Sequence, residues 1–151
     1  MRQAIHELKY RNLRALAGLL ARLLNDYLLG NPIPGEVLVP VPLHPKRLRE
    51  RGYNQSRLLA KELGKLAGLP VVDDCLVREH YSLPQARTSS VVERRGNVAD
   101  AFACRHQRLE GKPVILIDDV STSGATLDAC ARALKQAGAA SVWGLTLARE
   151  I

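Results

Sequence analysis

Val114-Ile115-Leu116-Ile117-Asp118-Asp119-Val120-Ser121-Thr122-Ser123-Gly124-Ala125-Thr126-Leu127 joins a strand signal, an acidic pair, a hydroxyl-rich turn and the start of a helix. Its four leading aliphatic residues read as a buried strand, and two adjacent carboxylates stand where that strand should end. A short hydroxyl-rich turn follows. Leu127, Cys130, Ala131 and Leu134 then recur at helical spacing. A strand, an acidic tip, a tight Ser/Thr/Gly loop and a helix N-terminus make a phosphate cradle. Backbone N–H groups converge on the anion there, and the helix dipole adds partial positive charge. Gly124 lets the backbone come close to a ligand. Thr122, Ser123 and Thr126 carry hydroxyls that can donate to phosphate oxygens.

The carboxylates need a separate reason, because they repel a phosphate placed beside them. Asp118 and Asp119 suit the hydroxyls of a sugar or a hydrated Mg²⁺. The two halves together describe a sugar phosphate, with its phosphate in the loop and its diol on the acids. The same pattern also fits a plain strand–turn–helix whose acids cap the helix.

The chain has 151 residues, 46% hydrophobic and 25% charged, which suits one α/β domain over residues 1–151 with a substantial core. No apolar run is long enough to cross a bilayer, so no membrane partner is expected. Met1 to Tyr10 mixes charged and apolar residues unlike a signal peptide, which makes a cytoplasmic location the expectation. A net charge of +7 favours anionic partners: pyrophosphate, nucleotides or nucleic acid. Cys75, Cys104 and Cys130 lie far apart, and His6, His44, His80 and His106 are scattered, so no structural zinc is expected. Such sparse cysteines suit a reducing compartment, and Cys130 falls on the apolar face of its helix as a core residue.

Working outward, residues 4–29 read as an amphipathic helix carried by Leu13, Leu16, Leu20, Leu23 and Tyr27 and stopped by Gly30-Asn31-Pro32. Glu36 to Val41 reads as a short buried strand whose end is made irregular by Pro40 and Pro42. A basic loop is expected over 43–54, a helix over 55–68 and a strand over 71–77. Residues 78–110 read as polar and irregular, with the look of a lid. A helix over 124–137 and a strand over 141–148 complete the pattern. Strands alternating with helices imply a mostly parallel sheet flanked by helices, with ligands at the carboxyl ends of the strands.

The loop after the first strand carries Lys46, Arg47, Arg49 and Arg51 within six positions, the charge that a pyrophosphate group needs. By itself such a run is also an ordinary solvated surface. Arg78, Gln85, Arg87, Arg94, Arg95 and Asn97 form a second polar cluster, and Tyr81 could stack on a base. Apart from Phe102 and Trp143 the aromatic residues are four tyrosines, a thin supply for stacking nucleic acid bases.

The central stretch resembles the phosphoribosyl pyrophosphate (PRPP) motif of type I phosphoribosyltransferases: aliphatic strand, two acids, Thr-x-Gly-x-Thr. Pro42-Leu43-His44-Pro45-x-Arg47, Arg51-Gly52-Tyr53-Asn54-Gln55, Gln85, Arg94-x-x-Asn97, Ala101-Phe102 and Gly138-Ala139-x-x-Val142 extend the likeness to the competence protein F (ComF) family over nearly the whole chain. The family usually carries a four-cysteine zinc ribbon that these residues lack, and Thr88 stands where an aliphatic residue is commoner.

The resemblance implies a type I phosphoribosyltransferase-like fold with an irregular hood or lid. It implies that Asp118 and Asp119 hold the ribose hydroxyls as the catalytic pair, with Mg²⁺ bound through water. Ser121, Thr122, Ser123, Gly124, Ala125 and Thr126 would hold the 5′-phosphate. Leu43 and His44, with Arg47 and Arg51, would face the pyrophosphate. The implied activity is a glycosyltransferase reaction, phosphoribosyl transfer to an unidentified nitrogenous acceptor. The alternative is a non-catalytic PRPP-, nucleotide- or nucleic-acid-binding accessory in DNA uptake. Oligomeric state and the acceptor stay open at this level.

Overall fold

A computed structural model describes residues 15–79 and 101–150. The expected helix residues before Ala15 and the lid candidates Tyr81, Gln85, Arg87, Arg94, Arg95 and Asn97 lie outside the described residues. In chain order the described elements are α1 (Ala15–Gly30), β1 (Val37–Pro40), α2 (Pro45–Arg51), α3 (Gln55–Ala67), β2 (Leu76–Arg78), β3 (Phe102–Cys104), β4 (Pro113–Ser121), α4 (Ala125–Gln136) and β5 (Ser141–Arg149).

β4 is the centre of a parallel sheet of order β1-β4-β5. Val37 pairs with Val114 and Pro40 with Ile117 on one side. On the other, the register runs from Pro113 opposite Ser141 to Ser121 opposite Arg149. Val71 adds a parallel bridge to Leu38 beyond β1.

The two-residue period of β4 divides its side chains between two cores. Val114 and Leu116 pack with Ala129, Cys130, Ala133 and Leu134 of α4 and with Leu76 and Phe102. Ile115 and Ile117 pack with Leu20 and Leu24 of α1 and Leu59 and Leu63 of α3. Burial on both faces is why β4 reads as an unbroken aliphatic run. Each such side chain contributes about 1.5–3 kcal/mol on leaving water. Helix α1 stops where expected: the backbone N–H and the Nδ2 of Asn31 both donate to the Tyr27 carbonyl, and Pro32 cannot continue the ladder.

Four local expectations are corrected. The basic loop holds α2, with Pro45 in its first turn, His44 Nδ1 accepting from Lys46 N–H at 3.1 Å, and Gly52 as C-cap at φ 84°. None of its residues is buried, so it has no apolar period to betray it. β4 does not end at the carboxylates but runs through them to Ser121. The expected strand 71–77 is split at Asp73 and Asp74, and Asp73 turns aside to pair with Arg57 at 2.7 Å. The segment expected to be irregular from Arg78 begins and ends in order: β2 and β3 form an antiparallel ribbon with Leu76 opposite Cys104 and Arg78 opposite Phe102. That ribbon brings Cys75 and Cys104, 29 residues apart, to a Cα separation of 5.2 Å as a disulfide. Sequence spacing had shown no such pairing.

Candidate functional site

The parallel strands deliver their carboxyl ends to one edge of the sheet, and the predicted residues gather there. Asp118 and Asp119 lie in the second half of β4, Pro42 to Pro45 follow β1, and Ser121 leads toward α4.

Asp119 is buried, at 3% exposure, and so are Gln55 and Ser56 at the start of α3. Gln55 Nε2 donates to Asp119 Oδ2 at 3.2 Å, and Ser56 Oγ donates to Asp118 Oδ1 at 2.9 Å. The strand's own amides add to this: Asp119 N–H donates to Asp118 Oδ1 at 2.8 Å, and Val120 N–H to Asp119 Oδ1 at 2.7 Å. The Asp118 carboxyl is pushed up to about 7 from its ordinary 3.8, by burial first and then by the neighbouring Asp119. The Ser56 hydroxyl pulls in the opposite direction. Burial likewise pushes the Cys130 thiol up, with Asp118 adding to it, so Cys130 behaves as an inert core residue.

The turn expected to cradle a phosphate is shorter than its hydroxyl-rich sequence. Ser121 is the last residue of β4, and Ala125 and Thr126 already belong to α4, which leaves Thr122, Ser123 and Gly124 as the turn. Gly124 stands at the N-cap with φ 78°, a conformation L side chains rarely adopt. As a glycine it gives α4 no side-chain cap, and the space where its Cβ would stand is open, which leaves the first amides of α4 to other partners. The Ser123 hydroxyl covers one of them, accepting from Ala125 N–H at 3.3 Å. A cavity of about 490 Å³ adjoins the turn, lined by Ser121, Ser123, Gly124, Thr146 and Arg149 among others. A larger cavity of about 970 Å³ between α1 and β5 is lined by Trp143 and by none of the predicted phosphate, diol or pyrophosphate residues.

Cations gather around His44. Its pKa is held below the ordinary value, by partial burial first and then by Arg78, Arg49, Lys46 and Arg47. Leu43 and His44 are half-buried in the loop, Arg47 is exposed on α2, and Arg51 Nη1 donates to Gln55 Oε1 at 3.0 Å. Arg51 thus points toward the acidic pair. Arg78 comes in from β2, its guanidinium 5.4 Å above the centre of the Phe102 ring.

Residues 50–150 match the phosphoribosyl transferase domain, across the acidic pair, the turn and α4. The chain belongs to that family. Among named relatives it is 35% identical to Competence protein F of Haemophilus influenzae, over 75% of this chain and 51% of that one. It is 39% identical to Competence protein ComFC of Bacillus subtilis, over 76% and 45%, and 32% identical to the DNA utilization protein YhgH of Salmonella typhi, over 97% and 66%. The chain therefore spans about half to two thirds of the length of the curated relatives it matches. Among solved structures, the glutamine PRPP amidotransferase of B. subtilis is similar with a TM-score of 0.60 at 19% identity, over 89% of this chain and 26% of that one. The purine phosphoribosyltransferase of Pyrococcus horikoshii gives 0.53 at 18%, over 86% and 70%. The fold is that of the type I phosphoribosyltransferases, and the chain is similar to the competence and DNA-utilization proteins over most of its own length.

Sequence reasoning placed the acids, the turn and the basic segment at one edge. It missed the roles of Asn54, Gln55 and Ser56. A helix capped and opened by Asn54-Gln55-Ser56 carries the signal: polar donors crowded at a helix start in a chain whose central strand bears two acids.

Proposed function

We propose that this domain binds PRPP with Mg²⁺ and transfers its phosphoribosyl group to a nitrogenous acceptor, releasing pyrophosphate. The observation that carries the reading is the order of groups along the sheet edge. The Gly124 turn follows β4 and shares a cavity with Thr146 and Arg149 of β5, while His44 and its cations follow β1, the neighbour of β4 on the opposite side. That order matches a 5′-phosphate, a ribose diol and a pyrophosphate in sequence. In the reaction the C1–oxygen bond to pyrophosphate breaks with its electron pair leaving on pyrophosphate. The C1–nitrogen bond forms, and the acceptor nitrogen loses its proton.

The transition state resembles an oxocarbenium ion, and the Asp118 and Asp119 carboxylates stabilise its positive charge. Arg47 and Arg51 stabilise the charge on the departing pyrophosphate. No side chain is needed as general base where the acceptor is already nucleophilic. Asp118 and Asp119 are two adjacent hard oxygen donors, and the described residues hold no group of three or more His, Cys, Asp or Glu able to grip a metal. Such a donor set suits a Mg²⁺ that keeps waters and substrate oxygens. When bound, Mg²⁺ neutralises charge on the leaving group.

A second reading, a non-catalytic PRPP-, nucleotide- or nucleic-acid-binding accessory in DNA uptake, is favoured by α2. Its seven residues are all unburied and include four cations, and the relatives carry competence and DNA-utilization names. Titrating PRPP by calorimetry, with Mg²⁺ and with chelator, tests the first reading on the wild type and on Asp118→Asn/Asp119→Asn. Mg²⁺-dependent binding lost in the double variant supports it, and no binding by the wild type sinks it. Nucleic acid binding would instead weaken steeply with salt, by roughly one log–log unit per phosphate contact.

A further inference from the structure

Arg51-Gly52-Tyr53-Asn54-Gln55-Ser56 joins α2 to α3, and its side chains bind four parts of the site to one another. Gly52 ends α2, donating its N–H to the Leu48 carbonyl at 2.7 Å, and its left-handed φ reverses the chain. Tyr53 is buried and pins the reversal to the core. Asn54 caps α3 by accepting from Ser56 N–H at 3.0 Å, and its Nδ2 donates to the Val41 carbonyl at 3.0 Å in the loop after β1. Gln55 and Ser56 then reach across 64 and 62 residues of sequence to Asp119 and Asp118.

The amide of Gln55 has a fixed polarity. Arg51 donates to Oε1, so Nε2 is the end left to face Asp119. An aspartate side chain has several accessible rotamers. Here each of the two is held by a buried donor from the same helix turn, and one of those donors is oriented by a cation on α2.

We infer that this six-residue turn is the positioning element of the site: Gln55 and Ser56 set the two carboxylates for the ribose diol, and Arg51, acting through Gln55, makes their orientation depend on the pyrophosphate-side helix α2. The inference rests on the PRPP reading and deepens it. Gln55 and Ser56 are positioning residues; they act on the ligand through Asp118 and Asp119. The arrangement gives the discriminating donors to the diol half of the ligand and links that half to the pyrophosphate half.

The test uses the full chain and three ligands with Mg²⁺: PRPP, ribose 5-phosphate and inorganic pyrophosphate. Ser56→Ala should weaken ribose 5-phosphate and PRPP about tenfold, as the loss of one hydrogen bond to a charged group does. It should leave pyrophosphate affinity unchanged, and Ser56→Thr, which keeps the hydroxyl, should restore binding. Arg51→Met should weaken ribose 5-phosphate even though Arg51 is assigned to the other half of the ligand. Combined with Gln55→Met it should cost no more than Gln55→Met alone, since the two act in series.

Two results overturn the inference. In one, Ser56→Ala and Gln55→Met bind ribose 5-phosphate as the wild type does. In the other, every variant loses all three ligands equally as its melting temperature falls, the mark of a packing role. Should Gln55→Met fail to fold, the Ser56 pair decides between the outcomes. A wild type that binds none of the three ligands removes the PRPP reading itself and the positioning role built on it, and that failure shows before any variant is made.

Discussion

Asp118→Asn should make the protein more stable in alkaline solution while disabling its proposed ligand site. The Asp118 carboxyl is pushed up to about 7 from 3.8, by burial first and then by Asp119. An acid whose folded pKa lies above its unfolded value stabilises the fold when protonated. That contribution is complete below about pH 4, declines between about pH 4 and pH 7, and is gone above the folded pKa. A rise from 3.8 to about 7 corresponds to about 4 kcal/mol at most.

Asparagine keeps the local geometry. Its Oδ1 can still accept from Ser56 Oγ and Asp119 N–H, which lie 2.9 and 2.8 Å from the Asp118 oxygen. The buried charge and its repulsion with Asp119 are both removed. The variant should therefore gain about 2–4 kcal/mol at about pH 8 and little at about pH 4. For a chain of this size that gain is roughly 5–15 °C in melting temperature.

Urea unfolding of ligand-free protein across that pH range is the assay. The wild type should lose stability as the pH rises, and the variant should show a flatter profile, with the two converging in acid. Parallel profiles, or a variant less stable than the wild type at about pH 8, would refute the claim that burial of the Asp118 charge costs stability. A carboxylate held at such a cost is characteristic of a functional position.

Gly124→Ala forces an L side chain to φ 78° at the turn before α4; it should cost about 1–3 kcal/mol of stability and abolish the proposed PRPP binding, read by thermal melts and calorimetry. Ile117→Ala empties a fully buried position between β4, α1 and α3 and should destabilise by about 2–5 kcal/mol in urea. Asn54→Ala removes both the cap of α3 and the anchor to Val41. Its stability loss should reach about 1–2 kcal/mol in thermal or urea unfolding, and a loss below a few tenths would show that the cap is dispensable.

Much of the fold was legible because its signals are local. The aliphatic run Val114–Ile117 announces a doubly covered strand, and the helical periods that follow Gly124 and Gln55 need only neighbouring residues to be seen. Local reading stopped β4 at Asp118, because carboxylates usually end strands. In the folded chain the pairing of Asp118 with Thr146 and of Ser121 with Arg149 carries the strand onward, while the acids take backbone donors of their own. Helix α2 escaped notice for the opposite reason. It buries nothing, and its existence depends on capping by His44 and Gly52 rather than on any hydrophobic period.

The sequence alone determined which chemistry the site holds: two acids, a glycine turn before a helix, and a run of cations after the first strand. Those are properties of residue type and short spacing, which folding leaves unchanged. Tertiary structure alone decided that Gln55 and Ser56 grip those acids, that Arg51 turns inward to Gln55, and that Cys75 meets Cys104. Each of those contacts depends on the direction of a side chain. Except for Arg51 and Gln55, its partners also stand tens of residues apart. Such directions exist only once the helices have packed on the sheet.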